Sequence, residues 1–141
     1  MSKGARRILA AVVSAIRPQG GIFDLDIDEA VTREASEFIL YLPAPMRFGL
    51  PLGLYAIEYL APILGGGPRR FSSMDATRAA RYLARFESGR GPLASMFQGL
   101  RALVLICFYQ HPEVLAVLEI DWQQRAELLT RRRAELLSQS L

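Results

Sequence analysis

Apolar residues recur at three- and four-residue steps along most of the chain, the spacing that places side chains on one face of an α-helix. Between residues 28 and 42, for example, the apolar positions are Val31, Ala35, Phe38, Ile39 and Leu42. No segment alternates apolar and polar residues with the two-residue period of a β-strand. The pattern therefore predicts an all-α protein.

Proline and glycine residues divide this pattern into successive segments. Helices are predicted at about residues 5–17, 29–42, 45–64, 76–88, 92–110, 112–118 and 121–138. Asp75 is expected to cap the helix that follows it, and Pro92 to occupy a first helical position. Pro51 removes a helical hydrogen bond and clashes with the preceding turn, so we expect a kink or a break there.

The chain of 141 residues has the size of one ordinary domain. The glycine- and arginine-rich segment Gly65–Arg70 predicts a flexible connector between two halves, each too small for a core of its own. We therefore predict a single helical domain over residues 1–141, a bundle of about six helices around a central hydrophobic helix at 92–110. Within that helix the unbroken apolar run from Ala102 to Tyr109 is expected to be fully buried.

Residues that carry chemistry are scarce. The single cysteine, Cys107, excludes an internal disulfide and a thiolate zinc site, and the single histidine, His111, excludes a histidine-rich metal centre. The two are four residues apart and could form an activated thiolate pair on one helix face. The apolar run around Cys107 instead favours a buried, inert thiol. We predict no catalytic, cofactor-binding or metal-binding residue in this chain.

Two segments share part of a ligand-binding pattern. Gly65–Arg70 resembles a phosphate loop but lacks the Lys-Ser/Thr that such a loop requires. The alternating acids that begin at Asp24 resemble a calcium loop, but Glu29 and Ala35 stand where its glycine and final glutamate would be. A connector and helix capping are the simpler interpretations.

The charge balance and the N-terminus limit the possible partners. The net charge is +3, and sixteen of the seventeen basic residues are arginine, which suits ion pairs and interfaces. Only Arg131–Arg133 form a run, so we expect no nucleic-acid partner. Arg6 and Arg7 precede a short apolar run as in an export signal, but Arg17 and Pro18 replace the small residues of a cleavage site. We expect a location in the cytoplasm or at the periphery of the inner membrane.

Three segments together match the hydrophobic pattern of a known family. They read ILAAVVSAIRPQGG from Ile8, FSSMDATRAARYLARFES from Phe71 and FQGLRALVLICFYQHPEVLAVLEID from Phe97. Across about residues 8–121 the chain resembles the gluconate 2-dehydrogenase subunit 3 family. It is also similar to the helical segment at the N-terminus of some bacterial glucose-methanol-choline (GMC) flavin oxidoreductases.

This resemblance implies a small helical partner of a FAD-dependent dehydrogenase. FAD is expected in the partner, which would oxidise an alcohol, sugar or sterol, and no cofactor is expected in this chain. The sequence lacks the G-x-G-x-x-G fingerprint of a flavin domain, so we expect the partner to be a separate chain. The chain would be a non-catalytic accessory subunit that assists the assembly or stability of its partner.

Aromatic residues and arginines are enriched at protein interfaces, which identifies candidates for partner contact. They are Phe48, Tyr55, Tyr59, Trp122, Arg131 and Arg132. Packing in the core is the other interpretation of the aromatic residues.

Two further hypotheses remain open at this stage. The first is a standalone helical protein that binds a hydrophobic ligand or a membrane surface, with residues 50–64 and 102–109 lining an apolar cavity. The second is an enzyme built on Cys107 and His111. Peripheral membrane association is compatible with the first of these and with the accessory-subunit hypothesis.

Overall fold

The computed structural model describes residues 1–64 and 67–139 of the chain. This part of the chain contains six α-helices, two short 3-10 turns and no β-strand, which confirms the predicted all-α class. The turns are Gly21–Phe23 and Phe71–Ser73. The helices are α1 (Lys3–Ile16), α2 (Asp28–Tyr41), α3 (Ala44–Leu64), α4 (Ala76–Glu87), α5 (Pro92–Gln110) and α6 (Pro112–Gln139).

Local signals set where several helices begin. The Asp75 side chain accepts a hydrogen bond from the backbone N–H of Arg78, which confirms it as the N-cap of α4. Pro92 is the first residue of α5, and Gly91 before it has a φ of +105°, a conformation that favours glycine. The acid at the start of α2 acts differently from the prediction, because Asp28 forms an ion pair with Arg17 and no side chain caps this helix.

Neither of the two predicted helix breaks, at Pro51 and before Asp121, occurs. α3 continues through Pro51 as one helix, because Leu50, Leu54 and Ile57 bury its inner side and this packing outweighs the lost hydrogen bond. α6 runs without a break from Pro112, where a short helix and a separate final helix were expected. No glycine or proline follows Pro112 in the sequence, so no residue there ends a helix.

α5 is the central helix of the fold, as predicted. It packs on each of the other five helices, so it connects the two halves of the sequence. Among the described residues it is the one helix long and apolar enough to cross a membrane by length and composition. The prediction that Ala102–Tyr109 is fully buried is wrong, because Ile106 is 48% exposed and Tyr109 is 40% exposed. Those residues lie on the side of α5 that faces away from the core.

An aromatic cluster joins α4, α5 and the turn at residues 71–73. The ring centroids of Phe71 and Tyr82 are 5.8 Å apart, those of Tyr82 and Phe86 are 5.2 Å apart, and Phe97 follows at 5.8 Å from Phe86. Such ring pairs add to the burial energy of the side chains. The cluster therefore anchors α4 to the central helix.

A buried carboxylate fixes the chain after the predicted connector. Glu58 of α3 is 6% exposed and accepts hydrogen bonds from the backbone N–H of Ser72 at 2.8 Å and its hydroxyl at 2.6 Å. These bonds satisfy both of its oxygen atoms, as a buried charge requires. Of the connector itself, Gly65 and Gly66 lie outside the described residues.

Candidate partner-binding surface

The side of α3 that faces away from the core is apolar. Phe48 is 69% exposed, Leu52 is 72% exposed and Ile63 is 76% exposed. With Tyr55 and Tyr59 they recur at steps of three and four residues and so lie along one side of the helix. We call the five residues Phe48, Leu52, Tyr55, Tyr59 and Ile63 the outer face of α3. Residues 52–64 are apolar nearly all round, a pattern typical of a helix buried on most sides, yet this face is exposed.

Two tyrosines form the middle of the outer face. The rings of Tyr55 and Tyr59 stack with centroids 6.4 Å apart and planes inclined by 19°. Tyr55 is half-buried, and its hydroxyl is 2.7 Å from the hydroxyl of Ser2, which also accepts the N-terminal hydrogen bond of α1. Tyr55 is thus held by the start of α1, while Tyr59 is 57% exposed.

Two arginines stack on rings of the outer face. The guanidinium of Arg47 lies over the ring of Phe48 at 5.3 Å, and that of Arg70 lies over the ring of Tyr59 at 5.4 Å. Both are cation–π arrangements, which favour a positive group over an aromatic ring. With Glu58 buried, every exposed charged side chain between residues 42 and 74 is an arginine.

An apolar groove of about 520 Å³ lies between α2, α3 and α5. Phe38, Met46 and Ile106 are among its lining residues, and no charged side chain lines it. Gly49 and Gly99 also line it, and a Cβ atom built on either glycine would meet nothing within 4 Å. The groove therefore has free space where two helix-interior glycines stand.

The other predicted contact residues lie on α6. That helix packs on α5 and on the turn Gly21–Phe23, with Val114 buried in its first turn. Further along, Trp122 is 73% exposed, and Arg131 and Arg132 are exposed. The six predicted residues thus divide equally between α3 and α6. Phe48, Tyr59 and Trp122 are exposed, so their side chains do not pack in the core.

The cysteine is buried in the core. Cys107 is 4% exposed, and burial raises the pKa of its thiol, an effect that the negative charge of Glu34 increases. A raised pKa lowers the fraction of reactive thiolate near neutral pH. His111 is half-buried at the end of α5, where its backbone N–H donates to the carbonyl of Phe108. This environment disfavours a nucleophilic role for Cys107.

The sequence interpretation missed four residues of these surfaces. Leu52 and Ile63 extend the outer face of α3, and their spacing from Phe48 and Tyr59 was the available signal. Gly49 and Gly99 had no comparable signal, because the open space beside them arises only when α3 and α5 pack together. Among residues 1–64 and 67–139, no group of three or more His, Cys, Asp or Glu side chains could hold a metal ion.

The three segments on which the expected family resemblance is based have defined places in the fold. They form α1, α4, and α5 with the start of α6, which make up most of the core, whereas the outer face of α3 lies between them in the sequence. Comparison with known proteins adds no relative, since no protein-family model, curated protein or solved structure matches the chain.

Proposed function

We propose that this chain is a non-catalytic accessory subunit that binds a FAD-dependent GMC-type dehydrogenase and assists its assembly or stability. The outer face of α3 is the observation that carries this proposal, because exposed apolar patches mark interaction sites. The partner holds FAD and oxidises an alcohol, a sugar or a sterol. This chain supplies binding surface and no cofactor.

The size of the outer face suits a protein interface. α3 has 21 residues and is about 31 Å long at 1.5 Å per residue. Each large apolar side chain gains about 1.5–3 kcal/mol when it is fully buried. Covering four such exposed side chains would therefore offset much of the entropy lost on association.

The proposal combines two independent supports. The outer face of α3 points to a binding role but identifies no partner. The sequence resemblance implies a flavoprotein partner but is based on segments that form the core. Neither support depends on the other, so each can fail alone.

Co-purification tests the proposal. The chain, carrying an affinity tag, is purified from its native cells, and the eluate is examined for flavin absorbance and by mass spectrometry. We expect a FAD-containing dehydrogenase of the GMC type to be recovered with it. The Leu52→Arg variant should lose this protein, because a guanidinium would be buried at the centre of the interface.

A matched control and a clear negative result complete the experiment. Arg81 lies exposed on the outward side of α4, so Arg81→Glu should recover the flavoprotein as the wild-type chain does. A colourless eluate that contains no flavoprotein with the wild-type chain would reject the proposed function.

The groove favours a second candidate function, a standalone protein that binds a hydrophobic ligand. Its volume of about 520 Å³ lies within the usual range for small-molecule sites. Organic extraction and mass spectrometry of the purified chain should then detect a bound apolar molecule. Gly99→Leu should remove that molecule by filling the groove. An extract without any bound molecule would reject this candidate.

A further inference from the structure

Two rings of the outer face of α3 each carry an arginine whose N–H groups are exposed. The aromatic rings of Phe48 and Tyr59 hold the guanidinium groups of Arg47 and Arg70 from one side. Neither guanidinium forms a hydrogen bond or an ion pair with any other described residue. Guanidinium groups have five N–H donors in a planar arrangement, so those of Arg47 and Arg70 remain available to a partner.

Covering the outer face would withdraw both arginines from water. An arginine that loses its water without gaining a partner is strongly unfavourable. Among the described residues no carboxylate pairs with Arg47 or Arg70, and both oxygens of Glu58, the one acid between residues 42 and 74, are bonded to Ser72. The anions must therefore come from whatever covers the face.

The spacing of these two positions follows from the helix. Phe48 and Tyr59 are eleven residues apart on α3, which corresponds to about 16 Å along the axis. We infer that the partner surface is an apolar strip with two carboxylate side chains, one pairing with Arg47 beside Phe48 and the other with Arg70 beside Tyr59. This inference rests on the proposed function, since it describes the flavoprotein surface that meets α3.

A protein surface explains these features better than a membrane does. Segments that bind anionic lipids usually carry about four to eight basic residues in a cluster. Arg7 and Arg85 also reach residues 42–74, at Ser72 and Leu64, but they are held by those hydrogen bonds, whereas Arg47 and Arg70 are positioned by stacking on rings of the outer face. Two arginines held in fixed positions suit two carboxylates at fixed positions on a protein surface.

Charge reversal tests the inference with the purified flavoprotein from the co-purification. Its dissociation constant is measured for the wild-type chain, Arg47→Glu, Arg70→Glu and the double variant. We expect each single reversal to weaken binding at least about tenfold and the double reversal at least about a hundredfold. The matched control Arg81→Glu on α4 should change binding less than about twofold. Wild-type binding should weaken as salt concentration rises.

Circular dichroism and thermal unfolding check that the variants fold. Arg47 and Arg70 are exposed, so their replacement should leave both measurements unchanged. Equal binding of the flavoprotein by the wild-type chain and the double variant would overturn the inference and leave the proposed function intact. Failure of the wild-type chain to bind any flavoprotein would reject the proposed function itself.

Lipid binding is measured in parallel with vesicles of phosphatidylcholine and phosphatidylserine. We expect the wild-type chain to remain in the supernatant when the vesicles are sedimented. Sedimentation of the wild-type chain but not of the double variant, together with unchanged flavoprotein binding, would assign the outer face to an anionic membrane and overturn the inference.

Discussion

α3 and α4 both pack one side against the core, yet their outward sides have opposite composition. On α4 the buried residues are Ala79, Tyr82, Leu83 and Phe86, and the outward side carries Arg78, Arg81 and Arg85. On α3 the outward side is the apolar outer face. Packing against the core makes no demand on an outward side, so its composition reflects what surrounds it. Contact with water explains the arginines on the outward side of α4, and contact with an apolar partner would explain the outer face of α3.

The outward side of α4 also completes interactions within the chain. Arg85 donates a hydrogen bond to the carbonyl oxygen of Leu64 at the end of α3, where helical carbonyls lack a helical partner. Arg101 of α5 pairs with Glu87 at the end of α4. On the outer face of α3, by contrast, Arg47 and Arg70 contact rings and no described carboxylate.

The largest expected effect separates the two sides of α3. Leu54 is 0% exposed and Leu52 is 72% exposed, so the same substitution tests the inner and outer sides of one helix. Leu54→Ala should lower the free energy of unfolding by about 2–5 kcal/mol, because it leaves a cavity. Leu52→Ala should change it by less than about 0.5 kcal/mol. Urea unfolding measures both, and equal losses would show that the outer face is already covered in the isolated protein.

The next largest effect is expected on the reactivity of a cysteine in the core, against which both α3 and α4 pack. Cys107 belongs to this core, and burial raises the pKa of its thiol, so little thiolate is available in the folded protein. A thiol reagent should react at least about a hundredfold more slowly with the native chain than with the urea-unfolded chain. A native rate close to the unfolded rate would contradict the burial of Cys107.

A smaller effect is expected on the inner side of α4. The hydroxyl of Tyr82 donates to the carbonyl of Ile57 at 2.8 Å, and Tyr82→Phe should cost about 1 kcal/mol at neutral pH. Tyr59→Phe on the outer face of α3 should leave the free energy of unfolding unchanged. Equal losses of unfolding free energy in Tyr82→Phe and Tyr59→Phe would contradict a stabilising hydrogen bond from the Tyr82 hydroxyl.

The same tyrosine predicts a pH dependence. Burial, the main cause, raises the pKa of Tyr82 to about 12, above its ordinary value of 10.0. A pKa that is higher in the folded state favours folding while the group is protonated. This contribution is complete below about pH 10 and is lost as the pH rises towards 12. The unfolding free energy should therefore decrease less over this interval in Tyr82→Phe than in the wild-type chain.

The sequence predicts where helices begin better than it predicts which apolar side chains are exposed. Asp75 and Pro92 mark helix starts through their own chemistry, so α4 and α5 could be predicted from a few neighbouring residues. The break predicted between residues 118 and 121 had no glycine or proline to support it, and α6 is continuous there. The exposure of Leu52 could not be predicted from hydrophobicity, since a helix that is apolar all round has the same sequence pattern whether or not a partner covers it.

The smallest expected effect tests the groove beside the outer face. A Cβ at Gly99 would meet nothing within 4 Å, whereas a Cβ at Gly53 would lie 2.1 Å from the methyl carbon of Met96. Gly99→Ala should raise the free energy of unfolding by about 0.5–1 kcal/mol, because alanine favours the helix. Gly53→Ala should lower it by about 1 kcal/mol, because Met96 must move. Urea unfolding measures both, and a destabilised Gly99→Ala would show that the groove is filled in the isolated chain.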